Sequence, residues 1–257
     1  MKGVEDIIEE YKSLKLDEVV DYDKFNSYTI VAHSTQIEGS TLTIEDTRLL
    51  LHDGLTPKGK PLIHSNMVMD HYKALELMKE LVKQKSPITS TLIQKLNAQV
   101  METTGSIYNT VFGEVDARKG EFRKGAVMAG VRYFMNYSKV PSAVEKLAKH
   151  LEENINDERL TLEEKINLSF YAHFELVSIH PFYDGNGRTS RLLMNYIQER
   201  LGLPMSIVFK EDKLDYIQAL EATRENDDLN VFYSFMQEQY KKYLLEEIKR
   251  YNDQVGE

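Results

Sequence analysis

Apolar residues recur at spacings of three and four along most of the chain, which is the period of a helix face. After Thr161 they fall at Leu162, Ile166, Phe170, Phe174 and Val177, predicting a helix that runs to about Ile179 and delivers His180 at its end. Pro181 prevents simple continuation, because proline lacks an amide donor and restricts the residue before it. A second helix is predicted from near Arg188 through Leu192, Leu193, Tyr196 and Ile197 to Arg200, with Gly202 and Pro204 as the stop. A third runs from Asp212 through Leu214, Ile217 and Leu220, and the last from Val231 through Phe235, Tyr240 and Leu244. Start signals agree: Thr43 stands three residues before Asp46, and Ser142–Glu145 and Thr161–Glu164 read as capping boxes.

One stretch breaks the helical period. In GEFRKGAVMAGVRYFMNY, residues 120–137, glycines at 120, 125 and 130 punctuate short runs of β-formers, which suits a hairpin. GLTPKGKP, residues 54–61, is a turn-rich loop between helices and lacks the spacing of a Walker phosphate loop. The predicted class is mainly α with one small β element.

Composition changes this picture little. The 257 residues are 42% hydrophobic and 28% charged, as in an ordinary globular protein. A net charge of -9 argues against nonspecific nucleic-acid binding, which needs a basic face. No cysteine is present, so disulfides and thiolate zinc sites are excluded, and a cytoplasmic setting fits. No apolar run reaches the length of a signal peptide or a membrane span, so no membrane partner is expected.

The candidate chemistry is concentrated in HPFYDGNGRTSR, residues 180–191. A helix start behind a glycine-rich loop offers free amide donors and a positive dipole end, which favour an anion. Gly185 and Gly187 let the backbone approach a phosphate, and Asn186 tolerates left-handed geometry. Arg188 and Arg191 in the first turn of a helix oppose its dipole unless an anion is bound there too. Asp184 is a hard oxygen ligand suited to Mg²⁺ held with a phosphate substrate. His180 can accept a proton at neutral pH. A base, a metal ligand, an anion nest and two phosphate clamps are what phosphoryl or nucleotidyl transfer requires. His173 lies one face-repeat before His180, but no carboxylate completes a metal site there. His33, His52, His64, His71 and His150 are scattered and read as surface or cap residues.

HPFYDGNGRTSR resembles the Fic-family signature HPFx(D/E)GNGRxxR at every fixed position. GEFRKGAVMAG is similar to that family's hairpin flap, and DYIQALEATRENDDLNVFYSFM to its closing helices. STQIEGSTLT resembles the family's inhibitory-helix motif (S/T)xxxE(G/N), with Ser34, Glu38 and Gly39 at the fixed places. The similarity spans roughly residues 28–240. It implies a Fic-type helical bundle with a small β-hairpin flap. The implied layout is a helical region over 1–85 with the inhibitory helix around 28–39, a catalytic core over 86–240, and a C-terminal helix extension over 241–257.

The implied activity is transfer of AMP from ATP, with Mg²⁺, to a Ser, Thr or Tyr hydroxyl of a target protein that the sequence does not name. His180 would take the hydroxyl proton and Asp184 would hold the metal. Gly185, Asn186 and Gly187 would cradle phosphate oxygens through their amides and the Asn side chain. Arg188 would contact the phosphates, Arg191 would anchor the γ-phosphate, and Tyr216 would wall the adenine. The flap would hold the target by strand addition. Glu38 would inhibit by occupying Arg191, and the same site would also be able to remove AMP. Arg224 stands where a small polar nucleotide contact is expected and stays unassigned. Two other readings remain open: a different nucleotide donor, or an autoinhibited nucleotide-binding module with little turnover. Room is left for a homodimer.

Overall fold

Helix boundaries follow from capping chemistry. Thr43 accepts from the Asp46 amide at 3.1 Å while Asp46 accepts from the Thr43 amide at 3.0 Å. Thr161 and Glu164 make the same reciprocal pair, satisfying donors that the first helical turn leaves free. Ser142 does not cap as expected. That helix begins two residues earlier, at Val140, with Pro141 in its first turn, and the Ser142 hydroxyl donates back to the Lys139 carbonyl at 3.0 Å. Proline costs nothing in a first turn, where its missing donor has no partner to lose.

The computed structural model describes residues 3–129 and 132–255. In order along the chain the helices are α1 (Val4–Ser13), α2 (Tyr22–Ile37), α3 (Ile44–His52), α4 (Leu62–Lys83), α5 (Ser90–Val100), α6 (Val140–Ile155), α7 (Leu162–Ile179), α8 (Asn186–Arg200), α9 (Lys213–Asn226) and α10 (Leu229–Val255). Two short hairpins lie between α5 and α6. In the first, β1 (Ile107–Thr110) pairs antiparallel with β2 (Gly113–Asp116). In the second, β3 (Met128–Ala129) pairs with β4 (Arg132–Tyr133), Met128 facing Tyr133. The second is the expected flap; Gly130 lies outside the described residues. The first was not expected, although IYNTVFGEVD holds six β-formers and Gly113 turns at φ 100°. The mainly α class with a small hairpin holds. Among the described residues no helix is long and apolar enough to cross a membrane.

Two helices form the centre. α7 and α8 pack more extensively on each other than any other pair. α7 is buried beyond its expected face, including Leu168, Ala172, His173 and Leu176. α8 is buried almost throughout, although Arg188, Thr189, Ser190, Arg191, Asn195 and Gln198 are polar. Several of their donors find partners within the protein, as burial demands: the Gln198 amide donates to Ser169 and Ser206 at 3.1 and 2.9 Å. α2 packs on α3 and α4 and reaches α8. His33 and His71, read from sequence as surface or cap residues, are instead core residues at 6% and 1% exposure. His33 sits on α2 and accepts from the Lys210 amide at 3.2 Å.

Candidate active site

The site is built at the junction of α7 and α8. The His180 amide donates to the Leu176 carbonyl at 3.0 Å, ending α7, and the residue then turns left-handed at φ 52°. The Asn186 side chain closes the following loop on itself. Its Oδ1 accepts from the Phe182 amide at 3.0 Å and its Nδ2 donates to the Phe182 carbonyl at 2.9 Å. That amide is therefore committed to the loop, leaving backbone N–H groups as the donors available to an anion. The Thr189 amide makes the first bond within α8, to the Gly185 carbonyl at 2.9 Å. The amides of Asn186, Gly187 and Arg188 precede it and have no intrahelical acceptor.

Gly185 is at φ 78°, and a Cβ there would lie 2.8 Å from both Asn97 Nδ2 and Met101 Sδ. Asn97, wholly buried on α5, donates to the Asp184 carbonyl and to Thr189 Oγ1, each at 3.1 Å. It pins the loop to the helix behind it. Sequence reading missed Asn97, although a polar residue on the Ile93–Val100 apolar face of a helix was a usable signal.

Arg191, 4% exposed, reaches from α8 to the end of α2. Its Nε donates to Ser34 Oγ at 2.8 Å, and its Nη2 donates to the Ser34 carbonyl at 2.9 Å and to Glu38 Oε1 at 2.6 Å. Gly39, at φ 100°, ends α2 and leaves Glu38 on its last turn. A Cβ on Gly187 would overlap the Glu38 carboxylate. The carboxylate thus sits at the α8 N-terminus, where the dipole and the free amides favour negative charge. Burial raises the Glu38 pKa, but the charge and hydrogen bond of Arg191 outweigh it and hold the group below its ordinary value.

A cavity of about 380 Å³ opens over this junction. His180, Glu38, Gly187 and Arg191 line one side; Lys213, Tyr216 and Ile217 of α9 and Arg132 and Phe134 of the flap close it. Tyr216, 4% exposed, is fixed from behind by a 2.8 Å hydrogen bond shared with His173 Nε2. His173 is wholly buried and burial lowers its pKa to about 3, so it is a neutral prop. Among the described residues no group of three or more His, Cys, Asp or Glu side chains could hold a metal by itself. Arg224 also lines the cavity, donating to Ser178 Oγ at 3.1 Å.

The His180 ring stacks on Phe134, with centroids 3.9 Å apart and planes at 18°. Burial, and then the charge of Arg123, lower its pKa to about 4, against the opposing pull of Glu38. The imidazole is therefore neutral at pH 7 and free to take a proton. Its Nδ1 is buried, which leaves Nε2 to face the cavity. Arg188 and Asp184 do not line this cavity. Arg188 is 2% exposed and turns toward the Val100 carbonyl, Met101 Sδ and Asp184 Oδ1 at 3.4 to 3.5 Å. Asp184 is 55% exposed, with Oδ1 accepting from the Gly185 amide at 2.6 Å.

Residues 87–198 match the Fic/DOC family. Protein adenylyltransferase Fic from Drosophila persimilis is 33% identical over 198 residues, covering 77% of this chain and 36% of that protein. The chain thus spans little more than a third of the length of the curated relatives it matches. A Fic-domain signaling protein from Bacteroides thetaiotaomicron superposes with a TM-score of 0.82 at 24% identity, over 96% of each chain. Fic-1 from C. elegans superposes with a TM-score of 0.75 at 26% identity, over 98% of this chain and 71% of that one. With its signature loop between two packed helices and a flap stacked on its histidine, the chain carries a Fic/DOC-family domain over residues 87–198.

Proposed function

We propose that this chain transfers AMP from ATP to a hydroxyl of another protein, and that Glu38 restrains the transfer. The observation that carries this reading is the sharing of one cavity by a neutral His180, the α8 N-terminus and Arg191. The target's Ser, Thr or Tyr oxygen attacks the α-phosphorus, forming a phosphodiester as the bond to the departing pyrophosphate breaks. The hydroxyl proton passes to His180 Nε2. The free amides at the start of α8 and the Arg191 guanidinium hold phosphate oxygens, whose charge they stabilise throughout. Tyr216 walls the nucleotide, and the hairpin β3–β4 offers open strand edges to the target backbone.

Asp184 suits a magnesium ion bound together with the nucleotide. Mg²⁺ takes one or two carboxylates plus phosphate oxygens and water rather than a cage of protein ligands. A half-exposed carboxylate anchored through one oxygen fits that pattern. When bound, the ion would neutralise phosphate charge. Arg188, buried behind the loop, supports Asp184 rather than touching nucleotide from the cavity.

Glu38 supplies the restraint because it already occupies both anion-binding elements, Arg191 and the α8 start. A terminal phosphate cannot use them while the carboxylate is there. The same ionised carboxylate, in reach of the cavity that holds His180, suits a second role: orienting water for removal of AMP from a modified protein. The transfer reading is tested by the fate of the label. Protein incubated with α-labelled ATP should become covalently labelled, and protein incubated with γ-labelled ATP should not. Labelling by γ-labelled ATP means phosphorylation, and nucleotide binding without either label means a binding module.

A further inference from the structure

Arg123 lies between the two hairpins and is 2% exposed. Among the described residues it has no carboxylate partner. Its side chain bonds to carbonyls: Nε donates to His180 O at 2.8 Å, Nη1 to Gly125 O at 2.9 Å, and Nη2 to Met135 O at 2.6 Å. Its own amide donates to Pro181 O at 3.0 Å. Burying a cation without a counter-charge is costly, and here burial lowers its pKa. A residue that merely filled this space would be apolar. What the guanidinium adds is a rigid planar fork whose three nitrogens reach carbonyls of three segments at once; the three donors of a lysine ammonium sit on one atom and do not span that spacing.

Those three segments are the two stems of the flap, at Gly125 and Met135, and the residue read above as the base. We propose that Arg123 is a positioning residue that fastens both flap stems to the His180 backbone, so that a hydroxyl docked on the flap is held in register with the imidazole. This rests on the reading of His180 as the base.

Two further observations agree. His180 is a non-glycine residue at φ 52°, a conformation that persists only where its surroundings over-determine it. Here its amide is held by Leu176, its carbonyl by Arg123, and its ring by Phe134, the neighbour of Met135. The stem also lies close against the loop, since a Cβ on Gly125 would lie 2.8 Å from Tyr183 Oη and either the stem or that ring would have to shift. The charged groups acting on His180 are Arg123 from the stem, Glu38 from α2 and Arg224 from α9.

The test uses Arg123→Lys, which keeps the charge but loses the fork, and Gly125→Ala, which crowds one stem against Tyr183 while leaving Arg123 intact. Both are made with Glu38→Gly so that transfer is measurable. Arg123 is not on the cavity wall, so ATP affinity by calorimetry should stay within about twofold. Transfer to protein should fall about 10- to 100-fold, as expected for a misplacement near 1 Å. The His180 titration, followed by NMR, should move upward by about one pH unit or more as Phe134 uncovers the ring. Gly125→Ala should move both readouts the same way by less. An unmoved His180 titration with unchanged transfer overturns the proposal. So does ATP affinity lost in step with transfer, which marks a general structural role. The titration needs no turnover, so it separates failure of this proposal from failure of the transfer reading.

Discussion

Glu38→Gly should raise AMP transfer, whereas an ordinary surface glutamate so replaced would leave activity unchanged. The carboxylate gives Arg191 a charged hydrogen bond of 2.6 Å and covers the start of α8. Hydrogen bonds to charged groups are worth roughly 1.5–3 kcal/mol. Glu38 keeps 31% of its side chain exposed, so solvent screening places the effect at the lower end, about a tenfold gain. The gain depends on the partner that is released. In an Arg191→Ala background, Glu38→Gly should therefore add almost nothing, and a double-mutant cycle should show coupling. Arg191 also holds Ser34 through two bonds, so circular dichroism must confirm that the α2 contact survives. Independent effects of the two substitutions would deny that they act as a pair.

His180→Ala should abolish transfer, lowering it by about 10²-fold or more, while ATP affinity stays nearly intact. In the proposed mechanism the imidazole takes the hydroxyl proton while α8 and Arg191 hold the phosphates, so the two functions separate. The pH profile provides a second signature. A base works when deprotonated, so kcat/KM falls as pH drops through its pKa in the free enzyme. Burial, with Arg123, places that pKa at about 4. Removing Glu38, whose charge raises it, moves it lower still. On the acid side the Glu38→Gly enzyme should therefore hold its activity well below pH 6.5. An acid limb centred at 6.5 would mean an exposed histidine, not this one.

The sequence carried the centre of this account and not its supports. HPFYDGNGRTSR announced the loop because its residue types conflict with an unliganded helix start, and the family resemblance it suggested holds. Helix existence was legible wherever the apolar period of three and four ran long, as from Leu162 to Val177. Helix depth was not. α8 reads as amphipathic, yet Arg188, Asn195 and Gln198 are buried because their partners lie on other elements. Asn97 and Arg123 escaped notice for the same reason. Their bonds cross 87 and 57 positions to reach Asp184 and His180, and such pairings leave no period in the chain. Ser142 misled because Pro141 starts its helix earlier. The β1–β2 hairpin was passed over although its β-formers and Gly113 were visible.

The central claim is that Glu38 and the terminal phosphate of ATP compete for Arg191 and the α8 start. The most direct test is the position of a non-hydrolysable ATP analogue in crystals of the Glu38→Gly chain, compared with the unmodified chain. The account predicts that, in the variant, the terminal phosphate sits on Arg191 and the α-phosphorus lies beside His180, open to in-line attack. In the unmodified chain Glu38 should keep Arg191 and the α-phosphorus should be displaced from that line. An identical nucleotide pose in both chains, or a nucleotide bound away from this cavity, would contradict it.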